Sequence, residues 1–186
     1  MRIVGGNLRG RRFDAPSGSQ TRPTSERVRE ALTSALASRG AIEGARVLDL
    51  FAGTGALAFE ALSRGAASAV LNENDRRMHA ALRKSTEQLG LRAQVTLRRR
   101  DVFKNTEEAL GDGPFDLVFI DPPYAEVSRM APVLAQVAAV CSPDALVVLE
   151  SDRRAGYTLE DTFLCEIASY EYGDTSIRFA AREDQP

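Results

Sequence analysis

Val47-Leu-Asp-Leu-Phe-Ala-Gly-Thr-Gly55 is the stretch that decides how this chain folds. Val47, Leu48, Leu50 and Phe51 make an apolar run that stops at two glycines, and a helical pattern begins at Ala56. Such a run, short and bounded by glycine, reads as a buried parallel strand that turns tightly into a helix. Gly53 and Gly55 let backbone N–H groups approach a ligand that a Cβ would repel. The start of the helix adds unpaired N–H groups that favour polar or anionic ligand atoms. Asp49 breaks the apolar run with a carboxylate. A buried carboxylate is costly unless paired, so Asp49 either caps the glycine loop or faces an amine of the ligand.

Outward from this stretch, strands and helices alternate. Strand patterns fall at 46–51, 68–73, 94–100, 115–120 and 145–150, with helices at 56–64, 75–89, 105–110 and 126–140 between them. Gly65 and Gly90 stand where C-terminal caps belong. Beyond them, Phe163–Tyr172, Gly173-Asp174 and Thr175–Ala181 pattern as a β-hairpin. The expectation is an α/β fold, a doubly wound, mostly parallel sheet of seven strands whose last two form an antiparallel hairpin. Upstream, Thr24 or Ser25 caps a helix over Glu26–Ser38 that puts Val28, Leu32, Ala35 and Leu36 on one face. Short β pieces at Arg2–Val4 and Arg11–Phe13 flank a turn at Gly5-Gly6-Asn7. Residues 1–40 therefore read as a basic hairpin-and-helix extension, and 41–186 as the main domain.

In an open parallel sheet, ligands sit beyond the carboxyl ends of the strands, where the strand order reverses. Asp49, Glu73, Asp101 and Asp121 all fall at such ends. Gly53-Thr-Gly-Ala-Leu-Ala58 with Glu73 further on also fits a dinucleotide fingerprint. Asp49 favours S-adenosylmethionine (SAM), because a cationic amino-acid group wants a counter-charge and a pyrophosphate does not. On that reading Asp49, Phe51, Ala52, Gly53 and Gly55 hold the amino-acid part. Glu73, with Asn74 beside it, accepts the ribose hydroxyls. Asp101 and the Val102 N–H suit an adenine amino group. Arg98-Arg-Arg100 reads as a solvated strand end that can also touch phosphate.

Phe115-Asp-Leu-Val-Phe-Ile-Asp-Pro-Pro-Tyr124 is the second informative stretch. A buried strand ends in Asp121-Pro122-Pro123-Tyr124, and the prolines lock the backbone and remove two donors. Asp121 and the Pro122 carbonyl can then both accept from one exocyclic amine. An amine conjugated to a base ring is a poor nucleophile. Two oriented acceptors aim its lone pair and disperse the charge that forms on nitrogen. Tyr124 offers a ring face to an unstacked base.

With Arg22-Pro-Thr-Ser-Glu-Arg-Val-Arg-Glu30, Leu48–Leu57, Glu60-Ala-Leu-Ser-Arg-Gly-Ala66 and Asp116–Tyr124 on the page, the chain resembles the RsmD family. The likeness runs from Arg2-Ile-Val-Gly-Gly6 to Tyr172-Gly-Asp-Thr175. It implies a SAM-dependent enzyme that methylates guanine N2 in ribosomal RNA of the small subunit. The family more often has an apolar residue where this chain has Asn72. A DNA adenine or cytosine methyltransferase is the nearest rival, but 186 residues leave no room for a target-recognition domain. A 5-methylcytosine enzyme needs a nucleophilic Cys, and neither Cys141 nor Cys165 lies in a Pro-Cys loop. A non-catalytic RNA-binding or SAM-sensing module would tolerate a broken Asp-Pro-Pro-Tyr, which here is intact.

The net charge of −2 announces no nucleic-acid partner, yet its distribution does. Residues 1–30 carry seven Arg against three acids, and 150–186 carry nine acids against four Arg. Arg9, Arg11, Arg12, Arg22 and Thr24 are therefore the candidate RNA contacts. The absence of a long apolar run or metal-ligand spacing points to a cytoplasmic protein without membrane span or metal, expected to be a monomer.

Overall fold

The computed structural model describes residues 1–14, 25–154 and 156–183. Seven strands form one sheet in the order β3-β2-β1-β4-β5-β7-β6. These are β1 (Arg46–Asp49), β2 (Ser68–Asn72), β3 (Val95–Arg98), β4 (Phe115–Ile120), β5 (Cys141–Asp152), β6 (Leu164–Tyr172) and β7 (Thr175–Arg182). The first five run parallel, and β7 pairs antiparallel with both β5 and β6. The seven-stranded α/β sheet and its closing hairpin match the sequence reading. The switch point lies between β1 and β4, so their carboxyl ends open onto one crevice.

Period-2 alternation assigns the faces. Val47, Leu117, Phe119, Leu146 and Val148 point to the face covered by α1 (Glu26–Ser38), α2 (Ala56–Ser63) and α3 (Arg76–Leu89). Leu48, Val118, Ile120, Val147 and Leu149 point to the other, under α4 (Thr106–Leu110) and α5 (Ala131–Val140). Asp49 follows Leu48, so it shares the α2 face.

Several boundaries differ from the sequence reading. The first strand stops at Asp49 instead of 51, because Leu50–Gly55 already turns, although the Leu50 N–H still reaches the Phe119 carbonyl at 3.0 Å. The helix expected over 126–140 is a 3₁₀ turn (Tyr124–Arg129) followed by α5. Pro132, in the first turn of α5, has no N–H to continue a helix through Met130. Asp75 caps α3, as its place before the helix suggests, and the helix proper begins at Arg76; the Asp75 carboxylate accepts from Arg77 and Met78 N–H, both at 2.9 Å. At the other end, β5 is longer than expected in both directions, held by β7 up to Asp152.

The N-terminal segment is anchored, not peripheral. Instead of two strands, Arg2 and Arg12 form one bridge, flanked by bonds between Ile3 and Arg11 and between Phe13 and Met1. The expected Gly5-Gly6-Asn7 turn widens to a loop through Gly10, because α2 takes over its polar groups. Buried Glu60 accepts from Val4 N–H at 2.7 Å and Gly5 N–H at 3.3 Å. Ser63 accepts from Asn7 N–H through its carbonyl and from Leu8 N–H through its hydroxyl. Ile3 and Phe13 complete the α1/α2 core, Phe13 standing edge-on to Phe59 with ring centroids 5.4 Å apart. Among the described residues, no helix is long and apolar enough to cross a membrane.

Candidate active site at the strand ends

The loop after β1 is built around two left-handed glycines. Gly53 has φ +52° and Gly55 has φ +78°. Their surroundings differ. A Cβ on Gly55 would lie 2.6 Å from a methyl of Leu82 and 2.7 Å from the Phe59 ring. Gly55 is thus required for helix packing. A Cβ on Gly53 would meet nothing nearer than 4.0 Å, so the space beside Gly53 is open. Gly55 also has no side chain to cap α2. Asp49 supplies that cap, its carboxyl accepting from the Ala58 N–H. Both alternatives left open by the sequence are therefore compatible: Asp49 caps the helix with part of its carboxyl and lies at the crevice.

Electrostatics make this edge unusual. Asp49 is buried, and burial pushes its pKa up to about 7 against the Ala58 bond, with the charges of Glu73 and Glu150 adding to the rise. Burial likewise raises Asp121 well above the usual carboxylate range, aided by Glu150 and Asp49. Among the described residues, no arginine or lysine forms an ion pair with Asp49 or Asp121. Two carboxyl groups without a counter-cation, beside the open space at Gly53, suit a ligand that brings positive charge.

Glu73 ties the glycine loop to α3. One carboxylate oxygen accepts from Gly53 N–H at 2.8 Å, the other from Asp75 N–H at 2.7 Å. Burial raises its pKa, and these bonds oppose the rise. Each oxygen keeps a lone pair for a further donor. Asn74 is exposed beside it. Ala52 donates its N–H to the Asn72 carbonyl at 3.0 Å, which holds the loop against β2. At the end of β3, Asp101 accepts from Phe103 N–H at 3.0 Å, so its carboxylate already closes the local turn, next to buried Val102. Asp121 and Pro122 follow β4, and Pro123 starts the 3₁₀ turn that presents Tyr124 with 46% of its surface exposed.

The RNA candidates among the described residues, Arg9, Arg11 and Arg12, lie away from this edge. The hairpin bearing Arg9 and Arg12 docks on the last turn of α2, opposite the glycine loop at its first turn. Arg11 donates to the carbonyls of Leu89 at 2.9 Å and Gln88 at 2.6 Å, capping the C-terminus of α3. Arg22 and Thr24 lie outside the described residues.

Three further residues belong to the crevice; of these the sequence marks only Asn72, as a departure from the family pattern and not as a site residue. Glu150, two residues before the end of β5, has only 6% of its surface exposed and acts electrostatically on both Asp49 and Asp121. Its signal was available, since it follows the apolar run Ala145–Leu149 as the other four carboxylates follow or interrupt theirs. Asn72 is buried and donates to the carbonyls of Leu50 and Arg100 while accepting from Arg100 N–H at 3.0 Å. It staples the ends of β1, β2 and β3, a role an apolar residue there would lack. Phe103 packs on Phe51, centroids 6.2 Å apart, and lies 4.2 Å beneath the Arg129 guanidinium.

The family model described as Conserved hypothetical protein 95 matches residues 1–181. The chain belongs to that family, the RsmD family. It is 42% identical over 126 residues to Ribosomal RNA small subunit methyltransferase D of Escherichia coli, covering 67% of this chain and 60% of that protein. The Haemophilus influenzae protein of the same name is 31% identical over 155 residues, 82% of this chain and 79% of its own length. The solved structure of yhhF from Escherichia coli superposes with a TM-score of 0.84 at 31% identity, covering 100% of this chain and 99% of that one.

Proposed function

We propose that this RsmD-family chain transfers a methyl group from SAM to the exocyclic N2 amine of a guanine in ribosomal RNA of the small subunit. One observation carries the reading. Asp121-Pro122-Pro123-Tyr124 leaves β4 directly beside the glycine loop that leaves β1, since Asp49 pairs with Phe119 two residues before Asp121. An acceptor for a base amine and a cradle for a cationic donor thus share one crevice.

The residues fit SAM. Asp49 and the open backbone at Gly53 receive the amino-acid part, with Phe51, Ala52 and Gly55 shaping the loop. Glu73, with Asn74 beside it, takes the ribose hydroxyls on its remaining lone pairs, and Asp101 with the Val102 N–H flanks the adenine. Bound there, SAM supplies an electrophilic methyl group on a sulfonium and leaves as the neutral thioether. Asp121 and the Pro122 carbonyl accept the two N–H bonds of the guanine amine, aim its lone pair and stabilise the positive charge that grows on nitrogen. Pro123 fixes the direction of that carbonyl. Tyr124 stacks on the flipped base, worth roughly 1–3 kcal/mol. Base extrusion of this kind is how enzymes reach an atom buried in a stack.

The assembled subunit, or a late precursor, is the substrate this reading favours, because phosphate contacts by arginines carry little sequence information and a prefolded RNA surface would supply the specificity. The test is transfer of labelled methyl from SAM to small subunits, to protein-free ribosomal RNA and to duplex DNA in parallel, with the modified nucleotide mapped by mass spectrometry. N2-methylguanine on subunits is the expected product. Label on adenine, cytosine or DNA would overturn the substrate assignment.

A further inference from the structure

Among the described residues, the basic side chains near the reactive edge are not those of the N-terminal hairpin. The first half of α3 starts beside Glu73, at the cofactor edge, and carries Arg76, His79 and Arg83 at i, i+3 and i+7, one stripe of the helix. Arg99 follows β3 at the same edge, between Arg98, paired with Asn72, and Arg100, held by the Asn72 side chain. After the cost of its partial burial, the charges of Arg83 and Arg99 are what hold the His79 imidazole below its usual pKa, so the three groups lie together. Arg76, Arg83 and Arg99 are exposed, and among the described residues no carboxylate pairs with any of them.

Folding does not call for this arrangement. Cations in the first turn oppose the positive end of the helix dipole, and like charges three or four residues apart repel. The first turn of α3 contains no acidic residue, and the Asp75 carboxylate before it is taken up by the Arg77 and Met78 N–H groups. A solvated helix face built for stability would carry glutamates there. Lys84, on the other side of α3, does have a partner in Asp14. A local rule broken without benefit to the fold marks a functional surface.

We infer that Arg76, Arg83 and Arg99, with His79 among them, form a phosphate-binding surface for the RNA that delivers the target base to Tyr124. The inference rests on the proposed RNA substrate and adds where its backbone lies. β4 and β3 are three strand spacings apart, about 15 Å. That is on the order of four stacked nucleotides at about 3.4 Å each, so RNA with its target base over Asp121 reaches Arg99 within the same local structure. By contrast, Arg11 sits at the far end of α3, about 20 Å from its start. Phosphate contacts of this type position the RNA and carry no sequence information.

The decisive experiment compares the full-length wild type, R83Q/R99Q and R83K/R99K on purified small subunits that lack the methyl group. R83Q/R99Q is expected to raise KM for subunits about tenfold or more and to flatten the salt dependence of log K by about 0.7 per cation removed. Its kcat at saturating subunit, SAM affinity and melting temperature should hold, and R83K/R99K should restore KM. Unchanged KM and salt slope in R83Q/R99Q, with wild type active, would overturn the surface alone. A wild type that methylates no ribosomal RNA would overturn it together with the functional reading beneath it.

Discussion

Asp49 and Asp121 end adjacent central strands, and the charge of Asp49 works against ionisation of Asp121. Asp49 is itself raised to about 7 by burial and by Glu73 and Glu150. Ionisation is thus disfavoured at the place where a ligand bearing a sulfonium and an ammonium group is expected to sit.

SAM affinity should therefore depend on pH. The cationic ligand favours the ionised carboxyls, so binding is weakest in acid, strengthens as pH rises toward about 7, and then levels off. Without ligand the linkage has the opposite sense. A carboxyl whose folded pKa lies above its unfolded value contributes stability in full below the unfolded pKa, about 3.9. That contribution is lost as pH climbs through the folded value. Calorimetric titration of SAM and thermal melts of the free protein, both across this range, check the two slopes, and Asp49→Asn should flatten them. A pH-independent SAM affinity would contradict the placement of the ligand's charge.

Asp121→Ala should separate binding from chemistry. Turnover should fall by roughly 10²–10³, the scale for losing one preorganised acceptor, while SAM binding, held by Asp49 and the glycine loop, stays nearly intact. Single-turnover methylation beside calorimetry measures both. A loss below about tenfold on that scale would make Asp121 a cap and not an acceptor.

Glu73→Ala should weaken SAM by about 1–3 kcal/mol through lost hydrogen bonds to a charged acceptor. It also strands the Gly53 and Asp75 N–H groups, so Glu73→Gln is the control, keeping an acceptor oxygen for one of these two donors. Equal SAM affinity in wild type and Glu73→Ala would remove Glu73 from the ribose site.

Glu60→Ala should be among the most damaging substitutions outside the crevice. It leaves Val4 and Gly5 N–H groups without their acceptor and removes the carboxylate that lies 3.7 Å from buried Arg29. Breaking a buried ion pair costs about 3–5 kcal/mol, visible as a lower midpoint in urea. Phe13→Ala should cost a similar amount, about 3–5 kcal/mol, by opening a cavity against Phe59. For the same reason, removing the hairpin would unfold the chain and not merely unseat an RNA contact. A midpoint unchanged in either variant would show that the hairpin is not anchored as described.

The sequence by itself determined the alternation of strand and helix, the closing hairpin and the family. Those follow from local signals: apolar runs of strand length, glycine caps and the Asp121–Tyr124 motif are legible one segment at a time. The carboxylates at the ends of β1, β2, β3 and β4 were legible as well, because a charge in an apolar run has no local explanation. Tertiary structure alone decided which charges meet. Arg11 reads as a phosphate contact until the fold carries it to the carbonyls of Gln88 and Leu89. Arg99 reads as a solvated strand end until β3 and α3 place it with Arg83 around His79. Glu60 sits in an ordinary helical pattern, yet the folded chain buries it to satisfy backbone donors 55 and 56 residues away. The reason is physical. Periodicity reports which face of an element is buried, whereas electrostatic partners are set by distances between elements, and those exist only once the sheet has closed around its core.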